Sequence, residues 1–311
     1  MKISGFSFVR NGEKLYYPTV EAIKSILPIC DEFVVAIGKG DEDDRTRELV
    51  AAIDDPKLKI IDTFWEEKYC QRGMINSYQT DIAMQACSGD WLFYVQADEV
   101  VHEKYLPVIK ARCEELLDDP EVEGLLFRYT HFWGDYDHYH GGHGWYPYEI
   151  RIVRNLPNIH SYQSAQSFRW FEHYDNPRQE IGTRKLQVAK VDAYIYHYGW
   201  VRPPQLMQNK RKALDSVHWG KGKAETHYEK LPPYFDYGPL DRLSVFKGSH
   251  PAVMRDMIAR FDWADKLQYQ GKPHPGRLPH KHETLKVRII SILEKIFGPI
   301  GTFRNYKLIR R

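Results

Sequence analysis

Cysteine is scarce in this sequence: four residues in 311, Cys30, Cys70, Cys87 and Cys113, with no C-x-x-C spacing among them. That excludes a thiolate zinc module and a disulfide framework, and makes reduced thiols in a cytoplasmic setting the expectation. Long apolar runs are missing as well. Nothing approaches the ~20 residues of a membrane span, and Arg10 and Asn11 interrupt the N-terminal apolar stretch too early for a signal peptide. Neither sign of charge dominates, since 44 Lys plus Arg face 42 Asp plus Glu for a net charge of +2. A nucleic-acid-coating protein needs a basic surplus, so nucleic acid is not an expected partner. No G-x-G-x-x-G or G-x-x-x-x-G-K-[ST] follows the first apolar stretch, which removes the usual glycine cradles for dinucleotides and triphosphates.

What is present is a large hydrophobic inventory, 42% of residues with 14% aromatic, enough for a substantial core. The first hundred residues alternate strand and helix patterns. Apolar runs at Ile3–Val9, Phe33–Ile37, Leu58–Ile61 and Trp91–Val95 predict strands. Helical spacing or capping signals at Pro18–Leu27, Arg45–Ile53 and Ser77–Cys87 predict helices between them. Such alternation implies an α/β fold with a mostly parallel central sheet. From about Leu125 shorter strands and aromatic, histidine-rich loops are expected, with Thr130–Tyr148 as a loop. Glu149–Val153, Lys185–Val191 and Ala193–Tyr198 read as strands that complete the domain, and after Trp200 prolines punctuate a helical region.

Open parallel sheets bind ligands beyond the carboxyl ends of their strands. There the apolar strand Trp91–Val95 runs into Gln96-Ala97-Asp98-Glu99. A carboxylate at that point can hold a divalent cation that also takes diphosphate oxygens. Acidic residues opening the next helix would be an equal reading of the pair taken alone.

Four segments together carry a broader resemblance: Phe8-Val9-Arg10-Asn11-Gly12-Glu13, Gly38-Lys39-Gly40 leading to Asp44-Arg45-Thr46, Ala86-Cys87-Ser88-Gly89-Asp90-Trp91, and Gln96-Ala97-Asp98-Glu99. In order and spacing the first two hundred residues resemble a family 2-like glycosyltransferase of the Rossmann-like GT-A fold. The resemblance implies a nucleotide-sugar donor, a UDP-sugar by default, with Mn²⁺ or Mg²⁺ on its diphosphate at Asp98. It implies donor contacts from Arg10, Gly38, Asp44, Arg72, Asp81, Gln96, Ala97 and Asp98. Gln96 stands where the family usually has its first aspartate; a glutamine can bond a ribose hydroxyl but brings no charge. Asp81 replaces a common asparagine, and the aspartate usual after the second strand is missing.

The strand ending at His197 resembles the late histidine that some members bring to the cation, which makes Asp98 and His197 the expected metal ligands; a core histidine is the competing reading. Arg202 and Lys210 could meet the departing diphosphate or simply be solvated charge. In the loop Asp135–Trp145, glycines among three histidines disfavour a zinc site. Trp133, His140, His143 and Trp145 are instead expected to bind a sugar acceptor, aromatic faces suiting the apolar faces of sugar rings. An inverting transfer needs a carboxylate base, for which Glu149 and Asp137 are the candidates.

The expected organisation is a GT-A domain over 1–225, with 1–100 the nucleotide-sugar half and 101–225 the acceptor half, followed by a helical C-terminal extension over 226–311. Lys281–Arg311 holds eight Lys or Arg against two acids. In it Leu285, Ile289, Ile292 and Ile296 share one helical face. Such a cationic amphipathic helix suits the anionic inner face of a membrane or, equally, docking on the parent domain. The expected activity is sugar transfer to a cell-envelope glycan or a lipid-linked acceptor. A glycan-binding or nucleotide-sugar-binding protein with a decayed site, and a nucleotidyltransferase of the same fold, are the alternatives.

Overall fold

The structure, a computed structural model, describes residues 1–275, 277, 279–297, 300 and 304–311. Its first half is β1 (Ile3–Val9), α1 (Thr19–Ile26), β2 (Glu32–Gly38), α2 (Thr46–Ala51), β3 (Leu58–Thr63), α3 (Met74–Gln85) and β4 (Trp91–Tyr94). These strands are parallel in the order β3-β2-β1-β4. Every residue of β2 is buried, as required of a strand covered by helices on both faces. The sheet's buried hydroxyls are satisfied: Ser4 Oγ donates to Glu32 at 2.7 Å and Ser7 Oγ to the Val95 carbonyl at 2.6 Å.

The second half comprises β5 (Glu99–Val101), α4 (Leu106–Glu115), β6 (Gly124–Trp133), β7 (His138–His140), β8 (Tyr148–Arg154), β9 (Ile159–Tyr162), β10 (Ser167–Phe171) and β11 (Thr183–Trp200). The sheet continues β4-β8-β6-β11-β10-β9. β8 is antiparallel to β4 and β6, whereas β6 and β11 are parallel to one another. This is the Rossmann-like GT-A arrangement.

Two expectations about this half are corrected. Thr130–Trp133 belongs to β6, buried at every position except Arg128, because its aromatic and β-branched residues fit a covered sheet better than a loop. Lys185–Val191 and Ala193–Tyr198 are one strand, β11. The polar Asp192 interrupts the apolar pattern, but the ladder to β6 absorbs it as a register shift between Lys190 and Tyr194.

Next come α5 (Pro204–Trp219), α6 (Lys221–Tyr228), β12 (Ser244–Val245), α7 (Arg255–Ala259), α8 (Leu285–Phe297) and β13 (Tyr306–Leu308). β12 pairs with β7 and β13 with β11, so residues 226–311 join the sheet at two places. Among the described residues no helix is long and apolar enough to cross a membrane.

Three apolar clusters hold the layers. One joins Ile23, Ile26 and Ile109 to Phe33, Val35, Trp91 and Phe93. A second joins Ala83 and Met84 to Val34, Ala36, Leu92 and Tyr94. The third is aromatic and fixes the later segments to the ends of β6 and β11 through Phe132, Trp133, Tyr198, Phe235, Tyr237 and Trp263. From β1 the chain builds outward in one direction to β2 and β3 and in the other to β4. In open sheets of this kind ligands bind beyond the carboxyl ends of the strands at such a switch, here β1 and β4.

Candidate active site

The turn after β4 is pinned before any ligand is considered. Gln96 N–H donates to Glu99 Oε2 at 3.1 Å, Glu99 N–H to the Gln96 carbonyl at 3.0 Å, and Tyr198 N–H to the Asp98 carbonyl at 2.8 Å. β5 then pairs with β11, placing Glu99 opposite His197. Glu99 takes a two-pronged contact from Arg151 and a 2.7 Å hydrogen bond from Tyr129 OH, so it forms the floor of the site. The Asp98 carboxylate beside it is buried, with 7% of the residue exposed.

Three nitrogen groups surround it. Lys210 Nζ lies 2.9 Å from Asp98 Oδ2 and donates also to the Gly199 carbonyl at 2.7 Å. His197 Nε2 lies 3.7 Å from the same Oδ2. The Arg202 guanidinium and the Lys210 ammonium both lie over the Tyr17 ring, at 4.7 and 4.9 Å from its centre. Arg202 is wholly buried and bonds the Leu15 carbonyl, while its Nε and Nη2 find no acceptor among the described residues. Neither Arg202 nor Lys210 is solvated surface charge.

Burial alone would raise the Asp98 carboxyl, but the charges of Lys210 and Arg202 outweigh it and hold the group ionised well below the usual carboxylate range. Burial, with Arg202 nearby, brings Lys210 down to about 8 despite Asp98. Burial also lowers His197 and His131, so both imidazoles are neutral.

The histidine pair sets a tautomer. His131 Nε2 lies 2.9 Å from the Tyr146 carbonyl, which can only accept, so that nitrogen carries a proton. His131 Nδ1 then accepts from His197 Nδ1–H at 3.0 Å, and His197 Nε2 points a lone pair toward Asp98. A carboxylate oxygen and an imidazole lone pair thus converge, a donor set that suits Mn²⁺ better than Mg²⁺. Among the described residues no three His, Cys, Asp or Glu side chains form a metal-holding group. Asp98 and His197 fit a cation only where other ligands, such as diphosphate oxygens, complete its shell.

The other donor-side candidates divide. Arg10 lies over Trp65 at 5.5 Å, and the indole is packed so closely on Gly38 that a Cβ there would stand 2.3 Å from its Nε1. Arg10 Nε and Trp65 Nε1 are buried and find no acceptor among the described residues. Asp44 ties the loop after β1 to α2, accepting from Lys14 N–H at 3.1 Å and Thr46 Oγ1 at 2.9 Å. Arg72 is exposed at the entry of α3, its N–H bonded to His218 and its carbonyl to Arg178. Asp81 is buried against His160 and Ser161 N–H, and its burial pushes the carboxyl up. The Gln96 amide donates to the Ala165 carbonyl at 2.9 Å, and Ala97 is buried beside it.

On the acceptor side, Trp145 lies half-buried, 4.9 Å from the His131 ring and stacked at 4.5 Å on buried His140. Trp133 is buried, donates to the Tyr237 carbonyl at 3.0 Å and stacks on half-buried Trp200 at 4.6 Å. His143 is held by α8, through Ser291 Oγ at 2.8 Å and Glu294 at 3.0 Å. Asp137 is exposed in the turn between β6 and β7. Glu149 is buried in β8, where Ser167 Oγ donates to it at 2.7 Å.

The sequence reading missed Tyr17, His131 and Trp65. Nothing in local pattern marks them, since each reaches the site through a contact distant in sequence.

The fold is a Rossmann-like α/β fold with a mixed central sheet. Solved structures similar to the chain include Staphylococcus aureus TarS, at 16% identity and a TM-score of 0.39, covering 69% of this chain and 39% of that one. A structure of TarS 1–349 with UDP matches at 14% identity and 0.37, covering 72% and 69%. Mycobacterium tuberculosis glucosyl-3-phosphoglycerate synthase with Mn²⁺, UDP and glucosyl-3-phosphoglycerate matches at 17% and 0.29, covering 42% and 44%. The match thus spans less than half the length of TarS and of the synthase. No family model and no curated protein matches the chain.

Proposed function

We propose that this protein is a glycosyltransferase that moves a sugar from a nucleoside-diphosphate donor to a glycan or lipid-linked acceptor. The observation that carries the reading is Asp98 at the switch point of the sheet, ionised, with the His197 lone pair, Lys210 and Arg202 around it. Buried Arg202 and half-buried Arg10 and Trp65 hold hydrogen-bond donors that find no acceptor among the described residues, which an anionic, oxygen-rich donor would supply.

Asp98 and His197 would hold a divalent cation, Mn²⁺ in preference to Mg²⁺. When bound, that cation supplies positive charge at the diphosphate. The acceptor hydroxyl attacks the anomeric carbon, the bond from that carbon to the diphosphate oxygen breaks, and the electron pair leaves with the nucleoside diphosphate. Lys210 and Arg202 stand where that negative charge grows, fixed in place beforehand, which is the arrangement that lowers a barrier most. Trp145 and Trp200 offer half-buried faces for the acceptor sugar beside His131.

The acceptor belongs at an anionic membrane surface. α8 docks on the protein through its polar residues Ser291 and Glu294, and leaves Leu285, Ile289, Ile292, Ile296 and Phe297 50–75% exposed. Lys286 and Arg288, exposed on the same helix, flank that apolar face.

The test is release of nucleoside diphosphate from a panel of nucleotide sugars, with Mn²⁺ or Mg²⁺, in the presence of lipid-linked and soluble glycan acceptors. Acceptor-dependent release is expected. Donor-induced thermal stabilisation without release on any acceptor would favour a binding protein, and neither response would end the donor-site reading.

A further inference from the structure

The seat at Asp98 already holds a cation of the protein's own. Lys210 Nζ is 2.9 Å from Oδ2, the oxygen that His197 Nε2 approaches at 3.7 Å. Its backbone partner, the Gly199 carbonyl at 2.7 Å, holds the ammonium in place, and Tyr17 covers it at 4.9 Å. α5 carries Lys210 on its second turn, so the ammonium arrives from a rigid element. A divalent ion on Oδ2 would stand within a few ångströms of this ammonium, with Arg202 adding a further positive charge that has no ion pair among the described residues. Like charges that close, away from water, exclude one another.

We propose that Lys210 is the resident counter-ion of Asp98, and that it keeps the divalent cation off the site until a donor diphosphate arrives. This rests on the donor-site reading above. The diphosphate brings negative charge to both cations, so Lys210 gains a second partner and can release Oδ2 to the metal. Metal and nucleoside diphosphate then bind with positive coupling, and by linkage each raises the affinity of the other by the same factor. Lys210 acts on the metal through Asp98 and is a positioning residue in this role. A lysine without this role would leave metal affinity in the donor-free protein unchanged when removed.

The experiment is a Mn²⁺ titration of the full chain, read by electron paramagnetic resonance of the free ion, with and without UDP. In the wild type, UDP should tighten Mn²⁺ binding more than tenfold. In Lys210→Met, which leaves Asp98 buried without its ammonium, Mn²⁺ should bind without UDP more than tenfold tighter than to the wild type, and coupling to UDP should shrink. Equal Mn²⁺ affinity in the two donor-free proteins overturns the proposal. So does wild-type Mn²⁺ affinity that UDP leaves unchanged although calorimetry shows UDP bound, a result that needs no variant to fold. Absence of UDP binding with or without Mn²⁺ instead defeats the choice of UDP as donor nucleotide, and the titration is then repeated with the nucleoside diphosphate that the donor panel identifies.

Discussion

Arg151 and Glu99 meet in a closed fork, Nε to Oε2 at 2.8 Å and Nη2 to Oε1 at 2.7 Å, with neither side chain touching solvent. The pair joins β8 to the turn that presents Asp98. Removing one member leaves a buried charge unmatched. Arg151→Ala should therefore lower stability by about 3–5 kcal/mol, read from the denaturant midpoint. Arg151→Lys should recover only part, because an ammonium cannot span both carboxylate oxygens. A wild-type midpoint in Arg151→Ala would show the fork to be dispensable.

Asp98→Asn keeps the size of the side chain and removes its charge. Turnover should fall by at least about a hundredfold, the scale of losing one electrostatic contact in a catalytic site. Far-ultraviolet circular dichroism should be unchanged, since the Asp98 backbone is held by Tyr198 N–H regardless. Full activity in this variant would remove Asp98 from the mechanism.

Gly199 permits the cluster by having no side chain. A Cβ there would lie 2.5 Å from His197 Nε2 and 2.7 Å from Asp98 Oδ2. Neither can easily withdraw, because His131 holds the imidazole and Lys210 the carboxylate. Gly199→Ala should reduce kcat/KM tenfold or more and cost about 1–3 kcal/mol of stability, as other overpacked sites do. Crystallography or histidine resonances in such a variant would show the His197 ring displaced; an undisturbed ring with full activity would contradict the close packing.

Glu149 gives a pH signature. Burial pushes its carboxyl up to about 7, with Arg151 and Ser167 opposing the rise. Its folded pKa lies above the unfolded value, so the native state keeps a proton the unfolded chain gives up. The stabilisation is complete below the unfolded value near 4.5 and is lost as pH climbs toward 7. The loss is roughly 3 kcal/mol at most. Glu149→Gln should abolish that slope, so its stability relative to wild type improves steadily from pH 5 to 7.5. Parallel profiles for the two proteins would argue against a protonated Glu149.

For the membrane face, Ile292→Glu with Ile296→Glu should abolish co-sedimentation with phosphatidylglycerol vesicles while leaving turnover on a soluble acceptor unchanged. Both side chains are 60% or more exposed, so folding should not suffer. Equal sedimentation of variant and wild type would dispose of the lipid reading.

The parallel half was legible because β2 and β4 are strongly apolar, β1 and β3 mostly so, and the intervening helices carry their own periodicity or capping signals. Asp98 was legible for the same reason, lying one turn past a wholly apolar strand. The antiparallel half was harder. β6 and β11 mix aromatics, histidines and charges, and their burial is decided by partners up to 66 residues away, as between His131 and His197. Tyr17 lies in the same case, reaching the site from the loop after β1 through Arg202 and Lys210. Lys210 was marked in the sequence as a possible diphosphate contact, but nothing there separated it from solvated charge. Its burial, which turns it from surface charge into part of the site, comes from the end of β11 and Tyr17 closing around it.

His197, Gly199, Arg202 and Lys210 all come from one short run of chain that leaves the sheet and enters α5. The positive side of the crevice is thus a cassette, grafted onto a carboxylate supplied from elsewhere. If the proposed metal site holds, swapping that single stretch between proteins of this architecture would carry its ion preference with it, leaving the rest of the scaffold as it stands.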